Sequence, residues 1–196
     1  MVAVAKPHTS RSFYTSEDLE RLSADGGRYE LLRGELFETA PAGYLHGVYT
    51  IRLASSVTVF IEEHDLGDAT TSETGFKVAL DPDTVIAPDW AFVVKERVPT
   101  PMPKGFAPLA PDLVLETRSH SDTVKELTYQ AIIWLQAGVQ VVWALDPMER
   151  TLVVYRKDHS PQTLGPEDVL DGDALLPGFT YPLSRLFREP VPDPAV

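Results

Sequence analysis

The segment from Pro111 to Asp146 limits the fold more than any other part of the sequence. It begins with the apolar run "DLVLET", continues through "SDTVKELTYQAIIWLQAG" and ends in a second apolar run, "VQVVWALD". Short apolar runs bounded by turn signals are typical of buried strands, and the middle segment reads as a helix capped by Ser121 and ended by Gly138. A strand, a helix and a second buried strand in succession indicate an α/β or α+β fold, in which helices pack on a sheet.

The remaining segments fit the same class. Residues 15–27 are predicted to form a short amphipathic helix, residues 28–40 a β-hairpin and residues 43–64 a long helix. Strands are then predicted in "DATTS", "GFKVAL" and "APDWAFVV", with "DPDT" as a turn, and a Pro- and Gly-rich loop leads to "DLVLET". The strand "TLVVYR" forms a hairpin with "VQVVWALD", and the C-terminal segment has a short strand and a helical turn. We therefore predict a mixed central β-sheet flanked by helices, with an N-terminal helix and β-hairpin extension.

The length of 196 residues suits one domain with a sizeable core. We expect a single domain over residues 1–196, with its core at about 28–187 and with flexible ends at 1–12 and 188–196.

The charge balance narrows the functional classes. The chain has 17 Lys and Arg residues against 29 Asp and Glu residues, a net charge of −12, which repels nucleic acid and anionic membranes unless basic residues gather on one face. Lys95, Arg97 and Lys104, on or beside the Pro-rich loop, are candidates for such a face. There are no cysteines, so any metal must have oxygen or imidazole ligands. The sequence lacks a membrane span and the apolar core of a signal peptide, so we expect a soluble, cytoplasmic protein without membrane association.

Two carboxylates are expected to meet on the sheet. Period-two alternation in "DLVLETR" puts Glu116 and Arg118 on one face of the strand. If this strand is antiparallel to "PDWAFVV", the start of one lies against the end of the other, and Asp89 meets Glu116. Asp112 is about 13 Å from Glu116 at about 3.3 Å per residue, too far to share an ion. Paired, partly buried carboxylates raise each other's pKa unless a cation such as Mg²⁺ neutralises them.

An ordered series of sequence blocks carries a family resemblance. The blocks "RYELLRGEL", "APDWAFV", "PDLVLETRSHSD" and "WLQAGVQVVWALDP", followed by "LPGF", resemble in order and spacing the Uma-type putative endonuclease family of the PD-(D/E)XK nuclease superfamily. The resemblance implies a restriction-endonuclease-like core, with Asp89 and Glu116 as ligands of Mg²⁺ or Mn²⁺. It also implies DNA as the partner and allows for a homodimer.

The resemblance points to further candidate site residues. The superfamily pattern has a lysine two residues after the acid, where this chain has Arg118, and relatives of this branch place the lysine on the following helix, at Gln130 here. Lysine can lose its proton and activate water, whereas Arg stays protonated and Gln is neutral. His46 near the start of the long helix, Glu35 in the hairpin and Lys125, five residues before Gln130, are additional candidates.

Three functional classes remain open from the sequence. The first is a metal-dependent endonuclease in which Asp89 and Glu116 hold the ion, Arg118 stabilises charge on the phosphate and Gln130 positions water. The alternative is a catalytically impaired nuclease-like module for binding or regulation, which Gln130 and the acidic charge favour. The third is a hydrolase of a small phosphorylated substrate, which an acidic surface tolerates better than DNA.

Overall fold

The computed structural model describes residues 13–24 and 26–188, which form helices and strands joined by turns and loops. The helices are α1 (Ser16–Ala24), α2 (Tyr44–Glu63), α3 (Val124–Gln136) and α4 (Leu183–Leu186). The strands are β1 (Tyr29–Leu32), β2 (Glu35–Glu38), β3 (Gly67–Thr71), β4 (Phe76–Ala79), β5 (Thr84–Ile86), β6 (Trp90–Val94), β7 (Leu113–Thr117), β8 (Val141–Asp146), β9 (Thr151–Arg156), β10 (Gln162–Leu164), β11 (Val169–Asp171) and β12 (Thr180–Pro182). The ends predicted to be flexible, 1–12 and 188–196, lie outside the described residues apart from Arg188.

A six-stranded mixed sheet in the order β10-β9-β8-β7-β6-β3 forms the centre of the fold. Strands β7 and β8 are parallel, while the other neighbours in this sheet are antiparallel. Every residue of β7 and β8 is buried, because helices or loops cover both faces of the sheet at its centre. Burial on both faces explains why these two strands read as continuous apolar runs rather than as alternating ones. The predicted mixed sheet flanked by helices is confirmed.

Helix α2 packs on one face of this sheet. Its buried apolar residues Leu53, Ala54, Val57 and Ile61 follow helical spacing and lie in the same core as the C-terminal strands and α4, whereas Ile51 is exposed. Helix α3 packs on the opposite face. None of the helices in the described part of the chain is long and apolar enough to cross a bilayer.

A second, four-stranded sheet in the order β2-β1-β5-β4 carries the N-terminal extension. The hairpin of β1 and β2 turns at Arg33 and Gly34, whose φ angles of 51° and 77° are both positive, as a tight two-residue hairpin turn requires. Helix α1 packs on this sheet, where Leu19 joins a small core with Leu31 and Val85. The predicted N-terminal helix and hairpin are confirmed.

Two predicted boundaries were wrong. Strand β5 is separate from β6 and pairs with β1 and β4 in the second sheet, although the sequence pattern indicated only a turn before "APDWAFVV". Helix α3 begins at Val124 instead of Ser121 because Thr123 is the N-cap. The Thr123 hydroxyl accepts a hydrogen bond from the Glu126 N–H, and the Glu126 carboxylate accepts one from the Thr123 N–H, which completes a capping box. Ser121 lies in the preceding turn.

Candidate active site

The antiparallel pairing of β6 and β7 brings Asp89 and Glu116 together. Trp90 lies opposite Leu115, so Asp89, immediately before β6, lies opposite Glu116 near the end of β7. The Thr117 N–H donates a hydrogen bond of 2.7 Å to Asp89 Oδ2, which fixes the aspartate against the neighbouring strand. The predicted antiparallel arrangement of these strands is confirmed, while the role of the two acids as metal ligands stays a prediction.

Glu116 is buried between the central sheet and α3. Its side chain accepts a hydrogen bond of 2.5 Å from the Trp134 indole N–H at Oε1, and the residue is only 3% exposed. Burial raises the pKa of Glu116 to about 8, and the neighbouring charges of Asp89 and Glu30 act in the same direction. Glu116 therefore holds its proton far more tightly than an exposed carboxyl group does.

His46 contacts Asp89 from the first turns of α2. The histidine is buried, and its Nε2 lies 2.9 Å from Asp89 Oδ2. The Thr50 hydroxyl is 2.8 Å from both the His46 carbonyl oxygen and the Thr117 hydroxyl. These contacts tie the start of α2 to the end of β7, so the predicted candidate His46 orients Asp89 in the structure.

Glu30 is an additional acid at this site that the sequence prediction missed. It lies in β1 and is 5% exposed, and its Oε1 accepts a hydrogen bond of 3.1 Å from the Ala87 N–H. Its Oε2 is buried without a hydrogen-bond partner among the described residues. Burial raises the pKa of Glu30, and the charge of Asp89 acts in the same direction. Glu35, the hairpin acid proposed from the sequence, is exposed at the start of the edge strand β2.

A signal for Glu30 was present in the sequence. The strand "YELL" carries one acid among apolar residues, the same pattern that singled out Glu116 in "LVLET". Charged residues are rarely buried without a partner, so an acid inside an apolar strand is a stronger candidate than one beside a turn.

A cleft of about 660 Å³ opens beside these acids, between the N-terminal extension and α2. Glu30, His46 and Asp89 line it. Its rim includes Arg28 and Glu73, which form an exposed ion pair of 2.9 Å. The volume lies in the range of about 300 to 1,000 Å³ that is typical of ligand sites.

Arg118 is held by acids in the structure. Its Nε is 2.7 Å from Asp146 Oδ2 in a largely buried ion pair, although the N–H is not aligned for a hydrogen bond. One terminal nitrogen donates to the Asp122 carbonyl oxygen at 3.3 Å, and the other is 3.9 Å from Glu149, which is exposed. The parallel register of β7 and β8 brings these residues together, because Thr117 pairs with Leu145.

Gln130 and Lys125 occupy different faces of α3. Gln130 is 6% exposed and lies one turn before Trp134, on the side of the helix that packs on the sheet. Lys125 is exposed in the first turn. The lysine therefore does not occupy the position that Gln130 fills.

The basic residues beside the Pro-rich loop lie at the other end of β6 from Asp89. Lys95 pairs with Asp65, and Arg97 is 2.5 Å from Asp112. Asp112 is fully buried and also accepts hydrogen bonds from a main-chain N–H and a glutamine amide. These ion pairs stabilise the fold at that end of the sheet, and they do not form a basic rim around the candidate site.

The donor set fits a hard divalent cation. Both contacts of Asp89 use Oδ2, and Trp134 uses Oε1 of Glu116, so each carboxylate keeps an oxygen that takes no hydrogen bond from the described residues. Among residues 13–24 and 26–188, no group of three or more Asp, Glu or His side chains is arranged to hold a metal ion. Mg²⁺ is commonly held by one or two carboxylates and several waters, so a pair of acids suffices.

Comparison with known proteins agrees with the fold, which is that of a restriction-endonuclease-like protein. The chain matches the Uma2 family, described as "Putative restriction endonuclease", over residues 16–184, and it belongs to this family. It is similar to a solved structure, "a putative nuclease belonging to DUF820 from Anabaena variabilis ATCC 29413", with 19% identity and a TM-score of 0.77 over 88% of this chain and 97% of that chain. No curated protein matches the sequence. The predicted family and fold class are confirmed.

Proposed function

We propose that the protein is a Mg²⁺- or Mn²⁺-dependent endonuclease that hydrolyses phosphodiester bonds in DNA. The observation that carries this proposal is the pair of Asp89 and Glu116 on neighbouring strand ends, in which burial and the adjacent acid raise the pKa of Glu116 to about 8. A buried carboxylate beside a largely buried one is unfavourable when both are anions, and the pair becomes favourable when a cation neutralises it. Membership of a family described as restriction endonucleases supports the same reading.

The surrounding residues prepare this pair for a cation. Asp89 and Glu116 would hold the ion through the oxygens that take no protein hydrogen bond. His46 and the Thr117 N–H orient Asp89, and Trp134 orients Glu116, as partners of metal ligands commonly do. A bound Mg²⁺ or Mn²⁺ would polarise the scissile phosphate and lower the pKa of the attacking water.

Arg118 and Gln130 have supporting roles in this proposal. The Arg118 Nε stays paired with Asp146, while its Nη2, which lies near Glu149, turns towards the phosphate. This exchange costs little, because an ion pair of 3.9 Å with an exposed glutamate contributes almost nothing. Gln130 positions water or a ligand oxygen. A homodimer, a cytoplasmic location and a single domain over residues 1–196 stay predictions.

A cleavage assay tests the proposal. Supercoiled plasmid, linear duplex DNA, single-stranded DNA and RNA are incubated with the protein in Mg²⁺, Mn²⁺ or EDTA, beside Asp89→Asn and Glu116→Gln. We expect weak cleavage of DNA with Mn²⁺ that EDTA and either substitution abolish, while the control Glu35→Gln retains it. Cleavage that persists in both variants would place the reaction at another site.

The alternative function is a nuclease-like module that binds DNA without cleaving it. The observation that favours it is the buried Gln130 at the position of the lysine, together with the exposure of Lys125. A neutral amide cannot take a proton from water. A protein that shifts DNA in a gel and binds Mn²⁺ through Asp89, yet leaves every substrate intact, would establish this function in place of the enzyme.

A further inference from the structure

Glu30 has an oxygen that the fold itself does not use. Oε1 of Glu30 accepts a hydrogen bond from the Ala87 N–H. This bond joins Glu30 to the main chain two residues before Asp89. The other oxygen, Oε2, is buried and has no hydrogen-bond partner among the described residues. A buried acceptor without a partner is unfavourable, so an apolar side chain would serve packing better at this position.

The location of Glu30 connects this oxygen to the candidate metal pair. Glu30 and Asp89 line the same cleft, and the two acids are close enough for the charge of Asp89 to affect the ionisation of Glu30. Three acids from separate strands thus approach one another: Glu30 from β1, Asp89 from the start of β6 and Glu116 from β7. Such a concentration of acidic groups in a buried place is most easily explained by a positive ligand.

We propose that Glu30 is a third acidic group of the cation site, where its Oε2 accepts a hydrogen bond from a water in the hydration shell of the ion that Asp89 and Glu116 hold. This inference rests on the proposed function, because it requires a cation at that pair. Glu30 acts through water, since no three acids of the described chain are arranged to ligate one ion directly. Mg²⁺ and Mn²⁺ sites keep waters of this kind.

The effect of Glu30 on cation affinity follows from this position. Partners that orient the ligands of a metal commonly change its affinity by about 10- to 100-fold when they are removed. Glu30→Gln is the sharpest variant, because the amide oxygen can still accept the Ala87 N–H. The substitution removes the negative charge, and it replaces the second acceptor, Oε2, with the N–H₂ donor of the amide.

Isothermal titration with Mn²⁺ tests this inference without relying on catalysis. The full chain is compared with Glu30→Gln, Asp89→Asn and Glu35→Gln, the last being a matched loss of an exposed carboxylate from the same hairpin. We expect the dissociation constant for Mn²⁺ to rise about 10- to 100-fold in Glu30→Gln, to stay unchanged in Glu35→Gln and to become unmeasurably weak in Asp89→Asn. Circular dichroism and metal-free melting show that the variants are folded.

A second variant keeps the test decisive if Glu30→Gln does not fold. Glu30→Asp retains a carboxylate on a shorter side chain, and we expect an affinity between those of the wild type and Glu30→Gln. Wild-type affinity in folded Glu30→Gln or Glu30→Asp, with weakened binding in Asp89→Asn, would overturn the role of Glu30 and leave the proposed function intact. Equal binding by the wild type and Asp89→Asn, or no binding by either, would overturn both.

Discussion

Replacing Glu116 by Gln should stabilise the metal-free protein at neutral and alkaline pH. Burial raises the pKa of Glu116 from its ordinary value of 4.5 to about 8 in the folded state, so the folded protein retains a proton that the unfolded chain loses. This contribution to stability is present in full below the unfolded pKa, declines as the pH rises and is gone above the folded pKa. Gln is neutral at every pH, and its amide oxygen can still accept the Trp134 N–H.

The size of this stability change follows from the pKa values of Glu116 in the folded and unfolded states. Each unit of difference corresponds to about 1.36 kcal/mol, so the free energy of unfolding should fall by about 3 kcal/mol between pH 4 and pH 7 and by up to about 5 kcal/mol above pH 8. A loss of this size is a large fraction of the roughly 5–15 kcal/mol that stabilises an ordinary domain. Because burial also raises the pKa of Glu30, Glu116→Gln should keep a residual dependence of the same sign.

Urea denaturation in EDTA at pH 5, 6, 7 and 8, followed by tryptophan fluorescence, measures these free energies. We expect the wild type and Glu116→Gln to differ by no more than about 1 kcal/mol at pH 5 and by about 3 kcal/mol at pH 7, with Glu116→Gln the more stable. Glu35→Gln, which removes an exposed acid, should follow the wild type throughout. Parallel curves for the wild type and Glu116→Gln would show that Glu116 ionises normally, and the electrostatic reason for a cation at this pair would disappear.

Four further substitutions test three separate parts of the structure. Asp112→Ala should lower the free energy of unfolding by about 1–3 kcal/mol, because it leaves the Val94 N–H and the Gln140 amide without their buried acceptor; urea denaturation measures this, and unchanged stability would contradict it. Thr123→Ala should cost about 1 kcal/mol in the same assay by removing the cap of α3, and unchanged stability would contradict that role. Gln130→Lys should increase Mn²⁺-dependent cleavage of plasmid DNA by at least about tenfold, whereas Lys125→Ala should leave cleavage unchanged. If Gln130→Lys has no effect and Lys125→Ala abolishes cleavage, Lys125 supplies the missing ammonium group.

The pairing of Asp89 with Glu116 could be predicted because local rules decide it. Alternation within "DLVLETR" sets the face of Glu116, and an antiparallel neighbour joined by a loop sets its partner. The N-cap of α3 was also within reach of the sequence, since Thr123 and Glu126 have the spacing of a capping box. The family resemblance supplied the order of the whole core.

The strand "YELL" marks Glu30 as an acid among apolar residues, but local rules do not place it beside Asp89. Its burial depends on β1 pairing with β5, in which Leu31 lies opposite Val85, and β5 is a strand of three residues that the sequence pattern hides between a turn and Pro88. The ion pair of Arg118 with Asp146 likewise requires the parallel register of β7 and β8. Contacts between residues far apart in sequence bring these charges together, and the spacing within one strand does not reveal them.

Anomalous diffraction from crystals soaked in Mn²⁺ would locate the cation directly. The expected result is a peak between Asp89 and Glu116, with one oxygen of each at about 2.0 to 2.6 Å and with the contact between His46 and Asp89 retained. The peak should vanish in crystals of Asp89→Asn. A peak coordinated by other side chains, or no peak at this pair under conditions in which Mn²⁺ supports DNA cleavage, would contradict the proposal that Asp89 and Glu116 are the metal ligands.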